Sequence, residues 1–278
     1  MSGNLVFIND AFIPRERAAL HIDDLLVQRG YGIFDFFKTD EGRAVFLDDH
    51  LDRFEHSASR MRLPIGKTRE QLKGVLAELL RRNEIPNSGV RLTLTGGHSD
   101  DGYSIGQPTL IITQAPLRTN PALANGIRLM TAEHQRQLCD VKSLDYLMPI
   151  WLQPLMRERG ADDIVYHRGG TVSECPRSNV FIVTRDGKLA TPGENILKGV
   201  IRKHVLELAP PQLPVEQRTV KLEDLRAAAE VFITSTTKGI VPIIAIDGVP
   251  VGAGQVGEVA RSLGAALSER SKAASQAL

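Results

Sequence analysis

"LCDVKSLDYL", residues 138–147, sets a single lysine between apolar neighbours, with Tyr146 four positions on. A lysine flanked by Val141 and Leu144 either snorkels at the surface or holds its amine away from water for chemistry. An ordinary lysine amine, with a pKa of about 10.4, is protonated at neutral pH. Partial burial or a nearby cation frees it as a nucleophile toward a carbonyl. One lysine cannot decide between these readings, so the flanking sequence has to.

Outward from this stretch, strand and helix periods alternate without a repeat. "NLVFI" (4–8) and "YGIFDFFKT" (31–39) read as strands. "DDHLDRFEHSASRMRL" (48–63) and "REQLKGVLAELLRRN" (69–83) carry apolar residues at helical spacing. "VRLTLT" (90–95) alternates with period two and pairs plausibly with "TLIITQ" (109–114). "PLRTNPALANG" (116–126), with two prolines, two asparagines and a glycine, breaks the pattern and reads as a linker. Beyond it we expect a helix near 145–159 and strands near 163–167 and 178–184. A helix over about 199–208, strands at 231–235 and 240–246 and a final helix over roughly 254–275 follow. This irregular mixture predicts two α+β domains, 1–116 and 127–278, joined by 117–126.

The bulk numbers narrow the function. The 278 residues carry 34 Lys and Arg against 33 Asp and Glu, a formal net charge of +1, so no strong pull toward nucleic acid or anionic membrane is expected. No apolar run approaches the roughly 18–20 residues that span a bilayer. "MSGNLVFINDAF" lacks a basic start and a long apolar stretch, and so does not read as a secretory signal. Cys139 and Cys175 make neither a disulfide framework nor a metal spacing. A cytoplasmic protein without structural zinc is expected.

Four further stretches could carry chemistry. Glu174, in "GTVSECPRSNVFIV" (170–183), stands just before an apolar strand, where a carboxylate could face a ring nitrogen. In "ILKGVIRKHV" (196–205) a helix begins at Gly199, and the N–H groups of Gly199, Val200 and Ile201 can point at an anion. "FITSTTKGI" (232–240) offers Ser235, Thr236 and Thr237 directly after a strand. Arg53, in "HLDRFEHSA", neighbours Phe54 of the helix stripe and could grip a phosphate with two donors.

Together, and in this order, these stretches resemble the class IV aminotransferases, enzymes of pyridoxal 5′-phosphate. The resemblance runs nearly end to end. It also takes in the opening "FINDAFIP", "GADDIVYHRGG" and "LATPGEN". It implies a two-domain fold of fold type IV with the cofactor between the domains. Lys142 matches the lysine that condenses with the cofactor and then moves the substrate proton. Glu174 matches the acid paired with the pyridine nitrogen. Arg53, the helix start Gly199–Val200–Ile201, Ser235 and Thr236 match the phosphate site, and Tyr146 matches the tyrosine on the phenolic oxygen in branched-chain-type members.

Some positions depart from the family pattern. Ile201 stands where threonine is usual, and Asp145 where asparagine is frequent. Typical D-amino-acid transaminases hold the substrate carboxylate with an arginine and a histidine on one loop. Here that loop reads "RLTLTGGHSDDGY", with Gly96 and Gly97 in the way and His98 offset. Arg91 falls on the polar side of its strand, and Arg29 precedes the "GYG" turn. The pair resembles an atypical group that grips the carboxylate with two arginines, one of them from the partner subunit. The substrate set expected from this is Arg29, Arg91 and Phe34, with Lys238 and Arg177 as further cations. The expected reaction is amino transfer between a D-amino acid (D-alanine or D-glutamate) and 2-oxoglutarate in a homodimer. A branched-chain L-amino-acid transaminase is the alternative, and an aminodeoxychorismate lyase a more distant one. A dinucleotide enzyme is set aside, because "GYGIFD" has two of the three glycines required and opens no helix.

Overall fold

The structure is a computed structural model and describes residues 4–278. Met1–Gly3, part of the opening read above for a signal, lie outside the described residues. The chain forms two compact units. The first takes Met1–Arg118, Val141–Asp145 and Ser271–Leu278, and the second takes Thr119–Asp140 and Tyr146–Arg270. The Lys142 segment therefore belongs to the first unit, although it follows the proline-rich 116–126 stretch in sequence.

The first unit is built on a seven-stranded sheet whose middle is antiparallel: Gly32–Asp40 pairs with Ser88–Thr95, and that with Leu110–Pro116. In the middle strand Val90, Leu92 and Leu94 are all fully buried. They pack with Phe37 and with Leu47, Leu51 and Phe54 of the Leu47–Arg60 helix, and with Leu72, Leu76 and Leu79 of the Arg69–Asn83 helix. The second helix starts with a capping box, in which the Thr68 side chain accepts from the Gln71 N–H and Gln71 accepts from the Thr68 N–H. The Arg69–Asn83 helix has its expected limits, and the Leu47–Arg60 helix begins one residue early and ends three early. Both agree this well because their apolar stripes are those that the core covers.

The segment 141–145 is tied into this sheet. Val141 is fully buried in the core. Ser143 bridges Ile33, the Phe34 N–H donates to the Lys142 carbonyl (3.0 Å), and the Leu144 N–H donates to the Gly32 carbonyl (3.1 Å). Gly32 permits this approach: a Cβ there would stand 2.9 Å from Leu144 Cδ1 and 2.9 Å from the Leu94 carbonyl oxygen.

The second unit carries a ten-stranded mixed sheet. Its central strands are Asn179–Val183, Glu230–Ser235, Gly239–Ile246, Ile127–Glu133 and Asp163–Arg168, in that spatial order. The strands Asn179–Val183 and Gly239–Ile246 run antiparallel to the strand between them. Ile127–Glu133 joins in parallel on both of its sides. Val165, Val180, Ile182, Val231, Ile233, Val241 and Ile243 form the core on one face. The Val200–Leu208 helix appears where expected, whereas the helix predicted over 145–159 is two short ones, Leu147–Trp151 and Gln153–Glu158. Pro154 has no N–H to return to Ile150, so the first helix stops and a second restarts with the proline in its first turn.

Candidate active site

In the first unit the candidate side chains gather around the strand Gly32–Asp40. The Lys142 N–H donates to Ser57 Oγ (3.1 Å), and its Nζ lies 4.5 Å from the centroid of the Phe34 ring. The same ring holds the Arg91 guanidinium, with Cζ 3.9 Å from the centroid. Phe34 is buried, and Arg91 Nε donates to Thr93 Oγ1 (3.3 Å). The polar face of the Ser88–Thr95 strand thus does not face open solvent. Thr93 and Thr95 are buried, and Thr95 Oγ1 donates to Asp24 Oδ2 (2.7 Å).

One residue beyond Phe34, the buried Asp35 anchors an ionic group. Arg53 Nε and Nη2 donate to its two oxygens (2.8 and 2.9 Å), and His50 Nδ1 donates to Oδ1 (2.8 Å). Burial alone would raise the Asp35 carboxyl pKa. The Arg53 charge and hydrogen bonds, with those of His50, outweigh it and hold the carboxyl far below its usual range. His50 goes down as well, chiefly because burial disfavours the imidazolium. It is therefore neutral, with its proton on Nδ1, and its buried Nε2 has no hydrogen-bond partner. Arg53 is not a surface ion pair: Asp35 fixes its direction as a cation.

In the second unit Leu197 links the remaining parts. Its N–H donates to Glu174 Oε2 (2.9 Å), while its carbonyl accepts from Asn179 Nδ2 (2.7 Å). Glu174 is buried, and its other oxygen, Oε1, accepts from Arg136 Nε (2.8 Å). Arg136 also donates through Nη2 to the Cys139 carbonyl (2.7 Å). Three residues past Leu197 the helix Val200–Leu208 begins, after Gly199, without a side-chain cap. Gly199 is needed there, because a Cβ would come within 2.1 Å of Asn179 Oδ1. Asn179 pairs with Thr234, and the hydroxyls of Ser178, Thr234 and Ser235 are buried without a partner. Ser235 ends the strand Glu230–Ser235, and Thr236 follows it.

An uncapped helix start next to orphaned buried hydroxyls suits the phosphate of pyridoxal 5′-phosphate. A buried carboxylate paired with an arginine suits a pyridinium nitrogen. The residues present therefore fit the cofactor. Ile201, in the place of the usual threonine, is buried on the helix's apolar side.

Other expected residues are placed differently. Lys238 is committed to an ion pair with the buried Asp163 (3.0 Å), which accounts for its charge. Arg177 is exposed. Arg29 is exposed at the end of the short helix Leu25–Arg29, with Nη1 donating to the Gln28 carbonyl (3.0 Å). Tyr146 is half-buried and begins the helix Leu147–Trp151. Sequence reasoning missed Asp35, His50 and Arg136. An acid inside an aromatic strand, and a histidine three residues before Arg53 on one helix, were readable signals for the first two. Nothing around Arg136 marks it out.

Residues 32–246 match the family model described as Amino-transferase class IV. The D-alanine aminotransferase of Staphylococcus haemolyticus is 34% identical over 267 residues, covering 93% of this chain and 94% of that protein. A putative branched-chain-amino-acid aminotransferase of Methanocaldococcus jannaschii is 32% identical over 271 residues, with 93% of each covered. Among solved structures, the branched-chain amino acid aminotransferase of Escherichia coli superposes with a TM-score of 0.87 at 22% identity, over 94% of this chain and 92% of that one. The last likeness speaks for the fold. With the family match and the two sequence relatives, it leads to one conclusion: the chain belongs to the class IV aminotransferases and is a transaminase that works with pyridoxal 5′-phosphate.

Proposed function

We propose that the chain moves an amino group between a D-amino acid, D-alanine or D-glutamate, and 2-oxoglutarate, and that it does so as a homodimer. The observation that carries this is the Phe34 ring shared by Lys142 and Arg91. The amine that would take the substrate's Cα proton and a guanidinium able to grip a carboxylate stand on one side chain, in one unit. The sequence relatives named D-alanine aminotransferase support the same reading.

When bound, the cofactor supplies an electron sink for the charge left at Cα. The protein's part is to bind and to move protons. Arg53, the N–H groups of Gly199, Val200 and Ile201, and the hydroxyls of Ser235 and Thr236 would hold the phosphate. Glu174 would hold the ring nitrogen protonated, with Arg136 fixing the carboxylate in place. The Lys142 amine would carry the proton off Cα and later return it as general base and then acid. Arg91, with Arg29 of the partner subunit, would bind the α-carboxylate. Arginines suit this task because the planar fork takes a carboxylate with two bonds. The Arg91 guanidinium lies over the Phe34 ring. Lys238 and Arg177 would contribute at most a diffuse positive field.

A panel of half-reactions tests the reading. D-alanine or D-glutamate should convert the bound cofactor to its amine form far faster than L-leucine. The reverse ranking would transfer the assignment to the branched-chain L-amino-acid reading, which Tyr146 and the Methanocaldococcus relative favour. Arg91→Ala should lower kcat/KM by about 100-fold or more, as expected for losing a buried charged hydrogen bond to substrate. Its cofactor absorbance should stay unchanged. An unaltered kcat/KM would remove Arg91 from the substrate site.

A further inference from the structure

Among the described residues one group of three metal-ligating side chains comes together, and none of the three has been given a role above. His21, Asp23 and His98 each offer one ligand atom within 4.8 Å of the other two. The Asp23 carboxylate stands 3.3 Å from His21 Nδ1, and the two imidazole rings have centroids 5.0 Å apart at 72°. We propose that these three residues form a site for a divalent transition-metal ion, Zn2+ being the natural occupant, that pins the turn before the Leu25–Arg29 helix to the loop after the Ser88–Thr95 strand.

Three features carry this. The first is the frame. The two loops are already joined by their backbones: the Leu25 N–H donates to the Gly97 carbonyl (2.9 Å), the Ser99 N–H donates to the Asp23 carbonyl (3.0 Å), and Asp24 bridges His98. The helix that follows is capped by the buried Asp24, whose Oδ1 accepts from the Leu26 N–H (2.8 Å). The ligands therefore project from a held scaffold.

The second is the set of partners behind the ligands. Gln28 Nε2 donates to Asp23 Oδ1 (3.1 Å), which leaves Oδ2 toward His21, whose Nδ1 accepts from the Asp23 N–H (3.2 Å), so that Nε2 is its nitrogen for a metal. His98 Nε2 lies 3.1 Å from Asp100 Oδ1. A proton held on Nε2 by that carboxylate leaves the Nδ1 lone pair for a metal, the arrangement by which metal-binding histidines are usually oriented.

The third is the donor chemistry. Two imidazoles with one carboxylate select zinc, nickel, copper or cobalt rather than calcium or magnesium, which prefer all-oxygen sets. Bonds of about 2.0–2.2 Å bring tetrahedral ligand atoms to roughly 3.4 Å from one another. The three ligand atoms, now within 4.8 Å of one another, would close to that spacing on binding the ion. Water would complete the shell, since His21 and His98 are more than half exposed.

The test is titration of the untagged holoenzyme with Co2+, read by its visible absorption, and with Zn2+, read by calorimetry. His98→Ala and Asp23→Ala are titrated beside it, so that metal taken up by the cofactor or by other histidines is subtracted. The expected result is one saturable ion per chain, bound about ten-fold or more weakly in each variant. Asp100→Ala should lose a comparable factor, as removal of an orienting partner does. Zn2+ should also slow amide hydrogen exchange across residues 21–31 in the parent and leave the His98→Ala exchange unchanged. Equal titration curves for parent and His98→Ala, or no saturable binding, overturn the proposal. Because every readout is binding or exchange, the outcome is independent of the amino acid the enzyme uses.

Discussion

A carboxylate in the middle of "GIFDFFKT" would be costly to bury alone. Asp35 is fully buried and tolerated because Arg53 and His50 satisfy both oxygens. Removing the charge should therefore leave a buried guanidinium uncompensated. Asp35→Asn is expected to cost about 3–5 kcal/mol of stability, the usual range for breaking one side of a buried pair. It should also weaken cofactor binding by freeing the Arg53 rotamer. Urea unfolding and a pyridoxal phosphate titration check both, and a variant as stable as the parent would refute the argument.

The same group sets a pH dependence. The unfolded chain protonates Asp35 near pH 3.9 and His50 near 6.5. The folded state holds both pKa values lower. In each case the unfolded chain binds protons that the folded chain refuses, so stability is present above the unfolded value and falls as the solution is acidified. His50 begins to act below about pH 6.5, and Asp35 only below about 3.9. His50→Asn keeps a donor to Asp35 but cannot titrate. Its urea midpoint should drop less between pH 7 and pH 5 than that of the parent. Parallel curves would assign the acid sensitivity to other groups.

At the scale of elements, the turn 197–199 is the critical joint, since Leu197 serves Glu174 with its N–H and Asn179 with its carbonyl. Gly199→Ala forces a Cβ into the Asn179 side chain and should push that amide off the Leu197 carbonyl. Overpacking of this kind costs about 1–3 kcal/mol, and here it should also weaken phosphate binding. The double variant Gly199→Ala, Asn179→Ala removes the clash, so the two substitutions should be clearly non-additive in a double-mutant cycle. Simple additivity would mean that Asn179 does not constrain the helix start. The helices Leu47–Arg60 and Arg69–Asn83 were legible from their apolar stripes. The break at Leu152 was not, because a proline two residues into a helix and a proline that ends one look alike until the packing is known.

At the scale of the whole molecule, no helix among the described residues is long and apolar enough to cross a membrane. The chain leaves its first unit at Arg118 and returns to it at Val141. A fragment ending at 118 would lack Val141 in its core and the bonds that 142–144 give to Gly32 and Phe34. Burying one valine contributes about 1.5–3 kcal/mol, a large share of the stability of a domain this size. The fragment 1–118 should melt well below the intact chain, as followed by circular dichroism. In the intact holoenzyme, borohydride reduction and peptide mapping should place the cofactor adduct on Lys142. An adduct elsewhere would refute the assignment of that lysine.

Local pattern alone determined most strands and helices, the α+β class and the order of motifs that marks the family, since side-chain period, caps and glycine turns are written within a few residues of one another. The sequence also singled out Lys142, Glu174, Arg53 and the Gly199 helix start as residues of unusual context. Only tertiary structure decided what holds them. The Asp35–Arg53–His50 group, Arg136 behind Glu174, Phe34 under both Arg91 and Lys142, and the His21–Asp23–His98 cluster join positions from 2 to 108 residues apart. Hydrogen bonds and charge pairs act over a few ångströms of space, and separation along the chain leaves no local trace of which distant residue will supply the partner.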